Sequence, residues 1–272
     1  MSVLYDCHIH SDFSKDAKDS LEDMVVSAMA KGMKKICFTE HQDFYYPYLP
    51  GEEGMFELNT DSYLYELLTM REKYDRLIGI GFGVELGLQL DCVKENYAFS
   101  NSQMFDYIIG SLHIVDKADP YYPDYFKDKS EEEAYGRYFE LMYENIKKFS
   151  NFDVLGHLDY IVRYGENKDA NYKYEIYKDN IDKILSHLVE NGKGLEINTA
   201  GLRKGTKSVH PTIEIIKKYK ELGGEIITVG SDAHCIKDIG ADFDAAYEAL
   251  KECGFNYCCT FNKRDVNFEK ID

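Results

Sequence analysis

The chain has 272 residues, with 32 Lys plus Arg against 49 Asp plus Glu and a formal net charge of −17. That balance excludes a broad nucleic-acid or anionic-membrane binder, because polyanion affinity comes mostly from Lys and Arg neutralising phosphates; a small anionic substrate held by a few local cations stays open. A hydrophobic content of 44% excludes a disordered chain, and no run reaches the roughly 18 apolar residues of a membrane span. Residues 1–16 carry no signal-peptide pattern. The seven Cys, with no Cys-x-x-Cys pair, read as reduced packing thiols of a cytoplasmic protein.

The first predicted element is a strand over residues 4–10. Ser20 opens a helix with Asp23 in the capping-box position, and Leu21, Met24, Val25, Ala28 and Met29 mark its buried face, with Gly32 as the stop. A second strand covers residues 35–39. A helix through Tyr63, Leu67 and Met70 leads to a strand over residues 78–84, and a weaker helix over residues 92–104 leads to a strand over residues 107–112. Tyr138, Phe139, Met142 and Ile146 line a strong helix before a strand at residues 152–155. Ile181, Ile184 and Leu188 line the next, before a strand at residues 194–197. Pro211 is expected as the first residue of a helix through Ile215 and Tyr219. Residues 225–229 form the seventh strand, and Ala245, Ala249 and Leu250 mark the last helix. No linker composition interrupts residues 1–272, so one domain is expected. Seven strands alternating with helices predict an α/β fold with a parallel sheet under helices, either an open doubly wound sheet or a closed barrel.

The polar residues favour the barrel. Six of the eight His lie at or just past a predicted strand end: His8, His10, His41, His113, His157 and His234. Glu85 ends the third strand, Glu196 lies within the sixth and Asp232 ends the seventh. In a parallel barrel every strand C-terminus opens on one face, so these scattered residues meet there; in an open sheet the outer strands end too far apart. His-x-His on a strand points both imidazoles to one side. Imidazole with carboxylate is a ligand set for Zn, Mn or Fe. One such His alone is more often a satisfied core or surface residue, but six at equivalent places make a metal site. His187 reads as structural, and His210 as a loop residue near the site face.

His8-Ile9-His10, Phe38-Thr39-Glu40-His41, Gly83-Val84-Glu85, Gly110-Ser111-Leu112-His113, Gly156-His157-Leu158-Asp159 and Gly230-Ser231-Asp232-Ala233-His234 resemble the successive motifs of the PHP (polymerase and histidinol phosphatase) superfamily. The resemblance spans the chain. It implies a distorted seven-stranded (β/α)7 TIM-like barrel holding three divalent metal ions. It assigns the first ion to His8, His10, Glu85 and Asp232, the second to a bridging Glu85 with His113 and His157, and the third to Asp16, His41 and His234. Asp16 stands where many members have His, and Glu40, where many have Asp, is implied as support for the ligands. Residues 195–205, with Leu222-Gly223-Gly224 before the last motif, are similar to stand-alone histidinol phosphate phosphatases. The function implied is hydrolysis of L-histidinol phosphate in histidine biosynthesis, with no nucleic-acid or membrane partner.

Three ions contribute about +6 and Asp16, Glu85 and Asp232 about −3, so the site is locally cationic inside an acidic chain. The expected chemistry is in-line attack by a hydroxide shared between metals, with Glu85, Asp232 and His234 at the reacting centre. Arg163 and Arg203 follow the fifth and sixth strands and are expected to grip phosphate. The general acid stays open among Asp159, His234 and a metal-held water. Ligand types leave the metal open among Zn, Mn and Fe. Two other readings are a PHP-type nuclease or phosphodiesterase, which the acidic composition disfavours, and a non-catalytic metal-binding regulator, which the complete ligand set disfavours. Residues 43–60 and 116–130 are expected as walls of the substrate pocket or as plain surface loops.

Overall fold

Runs such as Ile36-Cys37-Phe38 are buried without alternation, as strands enclosed on both faces must be. A computed structural model describes residues 4–271. In it β1 (Tyr5–Ile9), β2 (Lys35–Gln42), β3 (Gly79–Gly87), β4 (Tyr107–Ser111), β5 (Val154–Leu155), β6 (Gly194–Asn198) and β7 (Ile227–Gly230) pair in chain order, all parallel. The sheet nearly closes into a barrel. At the seam the His10 N–H bonds Ala233 O at 2.9 Å and the Asp232 N–H bonds His8 O at 2.7 Å. The helices are α1 (Leu21–Ala30), α2 (Thr60–Lys73), α3 (Val93–Ser100), α4 (Glu131–Lys148), α5 (Tyr174–Glu190), the short α6 (Ala200–Arg203), α7 (Ile213–Glu221) and α8 (Phe243–Glu252). Among the described residues no helix is long and apolar enough to cross a membrane.

Local chemistry accounts for the helix starts. Ser20 Oγ accepts from the Asp23 N–H at 3.2 Å, and Ser130 with Glu133 completes a reciprocal capping box on α4. Gly32, at φ +77°, turns the chain out of α1 in the left-handed region that favours glycine. The apolar stripes of α4 and α5 join the main core.

The structure departs from the sequence reading at several places. β2 and β3 each run three residues past their predicted ends, so His41 and Glu85 sit inside paired strands, opposite each other in register. Apolar periodicity stopped at these polar residues because it reports burial among apolar neighbours only. Pro211 does not open α7; Thr212 is the N-cap, because His210 still pairs with Asn198 as extended chain. The register of β1 shifts between Asp6 and Ile9. That irregularity sends Cys7 into the lower interior and His8 to the upper rim, although they are chain neighbours.

A hairpin, β8 (Tyr257–Asn262) and β9 (Asp265–Lys270), follows α8 and went unpredicted. It plugs the N-terminal end of the barrel. Phe261 stacks on Tyr107 with centroids 4.9 Å apart, beside Cys7, Cys37, Ile109 and Val154. Above them the Tyr107 and Thr228 hydroxyls bond across the barrel at 3.1 Å. The seven Cys are all free, and all but Cys235 are buried, in keeping with a packing role.

Candidate metal centre

The closed seam sets β1 beside β7, and the extended β2 and β3 lift His41 and Glu85 to the same rim. Four ligand atoms gather first. His8 Nε2 and His10 Nε2 are 3.1 Å apart. They stand 3.2 and 3.5 Å from Glu85 Oε2 and 3.8 and 3.7 Å from Asp232 Oδ1. The other Glu85 oxygen, Oε1, lies 3.2 Å from His113 Nε2 and 2.8 Å from His157 Nε2. In a third group Asp16 Oδ2 lies 3.1 Å from His234 Nε2 and 3.6 Å from His41 Nε2, with the two imidazole nitrogens 3.4 Å apart. Atoms bound at 2.0–2.2 Å to one tetrahedral ion lie roughly 3.3–3.6 Å from each other, and the separations within these groups, 2.8–3.8 Å, scatter to both sides of that range.

The orientation of the donors points to shared centres. Glu85 Oε2 is buried without a hydrogen-bond partner, although nitrogens of His8, His10 and His41 lie 3.1–3.5 Å away. Proximity without alignment is what donors show when they aim at shared centres rather than at one another. The groups also share more members than Glu85. His41 Nδ1 faces Glu85 Oε2 at 3.1 Å, and the His10 ring stacks on both His41 and His234, at 4.3 and 4.2 Å. This cluster of buried imidazoles and carboxylates supports divalent metal binding.

Partners behind the cluster hold the rings. His8 Nδ1 meets Glu196 Oε1 at 2.6 Å, His10 Nδ1 meets Ser14 Oγ at 3.2 Å, and His113 Nδ1 meets Asp43 Oδ1 at 3.0 Å. Such contacts set the tautomer and turn each Nε2 toward the centre. Glu196 also accepts the His157 N–H at 2.8 Å, which ties β1, β6 and the end of β5 together. The sequence placed Glu196 among the residues that meet at the rim, without a role of its own, and gave Ser14 and Asp43 none. Glu40 accepts from the Ser11 N–H at 3.0 Å and the Ser14 hydroxyl at 2.5 Å. It supports the loop after β1 and is no part of the three groups.

Asp232 has φ +53°, a strained value for a non-glycine residue. Its carboxylate is steered by Arg163 Nη1 at 3.2 Å and Asn198 Nδ2 at 3.3 Å. Nearby Gly230 has no room for a side chain, since a Cβ there would meet His8 and Glu196. Burial opposes charge on Glu85 and Asp232. It is outweighed by His8, His113 and His41 at Glu85, and by His8 and Arg163 at Asp232, so both carboxyls sit well below the usual range. Burial, with His234 and His41 beside it, pushes His10 down.

The remaining candidates divide. Arg163 is buried at the rim, donates to Asn198 Oδ1 at 2.9 Å as well as to Asp232, and leaves its Nε without a partner. Arg203 turns toward the loop after β7, donating to Ser231 O and, at 3.4 Å, to Asp242, with an ion pair to Asp238 at 3.7 Å. Asp159 is fully buried, with its oxygens taken by His210 Nδ1 and the Thr212 N–H, an enclosed position for a proton donor. His187 bonds Ile146 O at 3.2 Å on the outer layer.

Comparison with known proteins bears on this arrangement. The PHP domain family model matches residues 6–200. A histidinol-phosphatase of Lactococcus lactis subsp. lactis (strain IL1403) is 33% identical over 267 residues, covering 97% of each chain. A Thermotoga maritima chain named probable histidinol-phosphatase is 35% identical over 264 residues, covering 97% of this chain and 98% of that one. A crystal structure of the Lactococcus lactis histidinol phosphate phosphatase, complexed with zinc, L-histidinol and phosphate, superposes with a TM-score of 0.87 at 31% identity. It covers 97% of this chain and 98% of that one.

Proposed function

Because the chain belongs to the PHP domain family, we propose that it hydrolyses L-histidinol phosphate to L-histidinol and phosphate, as a metal-dependent phosphomonoesterase of histidine biosynthesis. The observation that carries this reading is the double use of Glu85. Each of its oxygens serves a separate imidazole group, and one has close nitrogens but no hydrogen bond. His8, His10, Glu85 and Asp232 would hold one ion, Glu85, His113 and His157 a second, and Asp16, His41 and His234 a third. Zinc is the first metal to test among Zn, Mn and Fe, since a relative carries it.

When bound, the ions supply positive charge to the phosphoryl oxygens and acidity to a water. The chain supplies the rest. Glu85 joins two of the groups, and Asp232 sits between His8, His10 and Arg163. Arg163, with its planar fork at the rim, orients a phosphoryl group; Arg203, from the next loop, assists from behind Ser231. His234 is the most open imidazole of the groups, with 28% of its side chain exposed. With Asp159 enclosed and both His234 ring nitrogens engaged, by the third group and by Asp232 O, the proton for the leaving oxygen would come from water. Elemental analysis of the purified protein, run beside a panel of histidinol phosphate, other small monoesters and a diester, tests the reading. About three metal equivalents and a preference for histidinol phosphate support it. Cleavage of diesters alone would make the chain a phosphodiesterase, and no turnover with Zn, Mn or Fe would leave a binding module.

A further inference from the structure

Asn198, the last residue of β6, is fully buried, and its side-chain amide uses all four of its hydrogen-bonding positions. Oδ1 accepts from Arg163 Nη2 at 2.9 Å and from the Ala200 N–H at 3.0 Å. Nδ2 donates to Glu196 Oε2 at 3.2 Å and to Asp232 Oδ2 at 3.3 Å. Only donors face the oxygen and only acceptors face the nitrogen, so the amide has one orientation. A carboxylate here would set a third negative oxygen against two others, and an apolar side chain would break four buried bonds at once.

Two of these bonds close a ring with a third. Arg163 Nη1 donates to Asp232 Oδ2 at 3.2 Å, Arg163 Nη2 donates to Asn198 Oδ1, and Asn198 Nδ2 returns to the same Asp232 oxygen. The guanidinium cannot turn without breaking two bonds. Tyr160 also packs on it, with the aromatic centroid 5.1 Å from Cζ. Two of its five N–H groups are thus taken, and Nε is buried with no hydrogen-bond partner. The ring divides Asp232 as well. Oδ2 takes Arg163 and Asn198, while Oδ1 stays with His8 and His10, at 3.8 and 3.7 Å. A fixed cation with donors left over, beside the imidazole groups, suits an anionic oxygen.

We propose that Asn198 is a positioning residue for phosphoryl binding: it fixes the plane of the Arg163 guanidinium so that the donors left over meet a phosphoryl oxygen, and it keeps Asp232 Oδ1 turned to the imidazoles. The inference rests on the phosphomonoesterase reading and adds to it a residue that touches neither substrate nor ion. A free arginine loses rotamer freedom when it grips an anion; Arg163, held by two bonds and an aromatic ring, has lost that freedom on folding. Without Asn198 the loss falls on binding, and phosphate affinity drops. The bond to the Ala200 N–H offers the competing role. Asn198 would then only anchor the start of α6, and its effect on phosphate would run through Arg203.

A double-mutant cycle of Asn198→Ala with Arg163→Ala separates the two roles. The readout is the affinity of the zinc-loaded protein for inorganic phosphate in calorimetry, with metal content followed by elemental analysis and the fold by circular dichroism. Asn198→Ala alone is expected to weaken phosphate binding about 10-fold, the loss of one bond to a charged group. In the Arg163→Ala background the same substitution is expected to cost less than about twofold, because two residues that act as one unit are not additive. An equal loss in both backgrounds, or a loss that follows released metal, overturns the assignment and leaves the phosphatase reading standing. A wild type that binds phosphate but ignores histidinol phosphate removes that substrate, and the cycle still decides Asn198. A zinc-loaded wild type that neither binds phosphate nor hydrolyses any monoester overturns both. Should Asn198→Ala not fold, Asn198→Ser, polar but shorter than the reach to Arg163, runs the same cycle with the same expectation.

Discussion

At the N-terminal end of the barrel, Asp106 accepts the Phe82 and Lys263 N–H groups, both at 2.9 Å, and pairs with Arg71. Beside it Asp153 accepts the Ile108 N–H at 2.8 Å and Arg264 Nε at 2.7 Å. At the C-terminal end the side chains of Glu85 and Asp232 are about as deeply buried, yet the nitrogens around Glu85 Oε2 stand close without bonding it. The two ends use similar residue types. The lower carboxylates are satisfied by the fold itself and tie the hairpin plug to the strands, while the upper ones are placed for something the chain does not contain. Buried charge is evidence of a functional site when its partners are near but misaligned, and of architecture when they are bonded.

Substitutions that separate the two ends test the comparison. Asp232→Ala is expected to lower kcat/KM about 10³-fold or more and to release metal measurable by elemental analysis, with the far-ultraviolet circular dichroism unchanged. Retained turnover would remove Asp232 from the site. Chelation should abolish turnover and lower Tm in calorimetry, by about 2.7 kcal/mol of lost stabilisation where metal had stood at a hundredfold its Kd. Restored metal should return both, and a Tm indifferent to chelator would mean the upper cluster holds no ion.

Asp106→Asn, at the lower end, should cost about 2 kcal/mol in chemical denaturation and leave kcat/KM of the folded, metal-loaded enzyme within about twofold. A large kinetic effect would erase the distinction between the ends. Burial opposes charge on Asp106, but the Phe82 and Lys263 N–H groups and Arg71 outweigh it and hold its pKa below the ordinary 3.8. Its stabilisation is therefore complete above the unfolded value and is lost as pH falls through the lower folded one. The stability gap between wild type and Asp106→Asn should stay constant from pH 7 to about 5 and close below about 4. The smallest expected effect is that of Arg203→Ala, a rise in KM of roughly three- to tenfold with the fold intact. An unchanged KM would confine Arg203 to holding the loop after β7.

The alternation of strands and helices was legible in the sequence because apolar periodicity is a local property, as with the Leu21–Ala28 face of α1 or the Tyr138–Ile146 face of α4. The candidate ligands were legible as residue types at strand ends, since a parallel barrel turns strand order into a ring. Ser14 and Asp43 were not, because a polar residue buried behind a site reads in one dimension like a polar residue in water.

Residue identity and spacing thus determined the seven barrel strands, the main helices and the residue types of the rim. The tertiary structure alone decided the irregularity that parts Cys7 from His8, the seam that sets Asp232 beside His8, the hairpin plug, and Arg203's turn toward Ser231, Asp238 and Asp242. The physical reason is distance along the chain. His8 and Asp232 meet across 224 positions; the sequence placed both at one rim, but the backbone bonds of so distant a seam are selected by closure of the whole sheet.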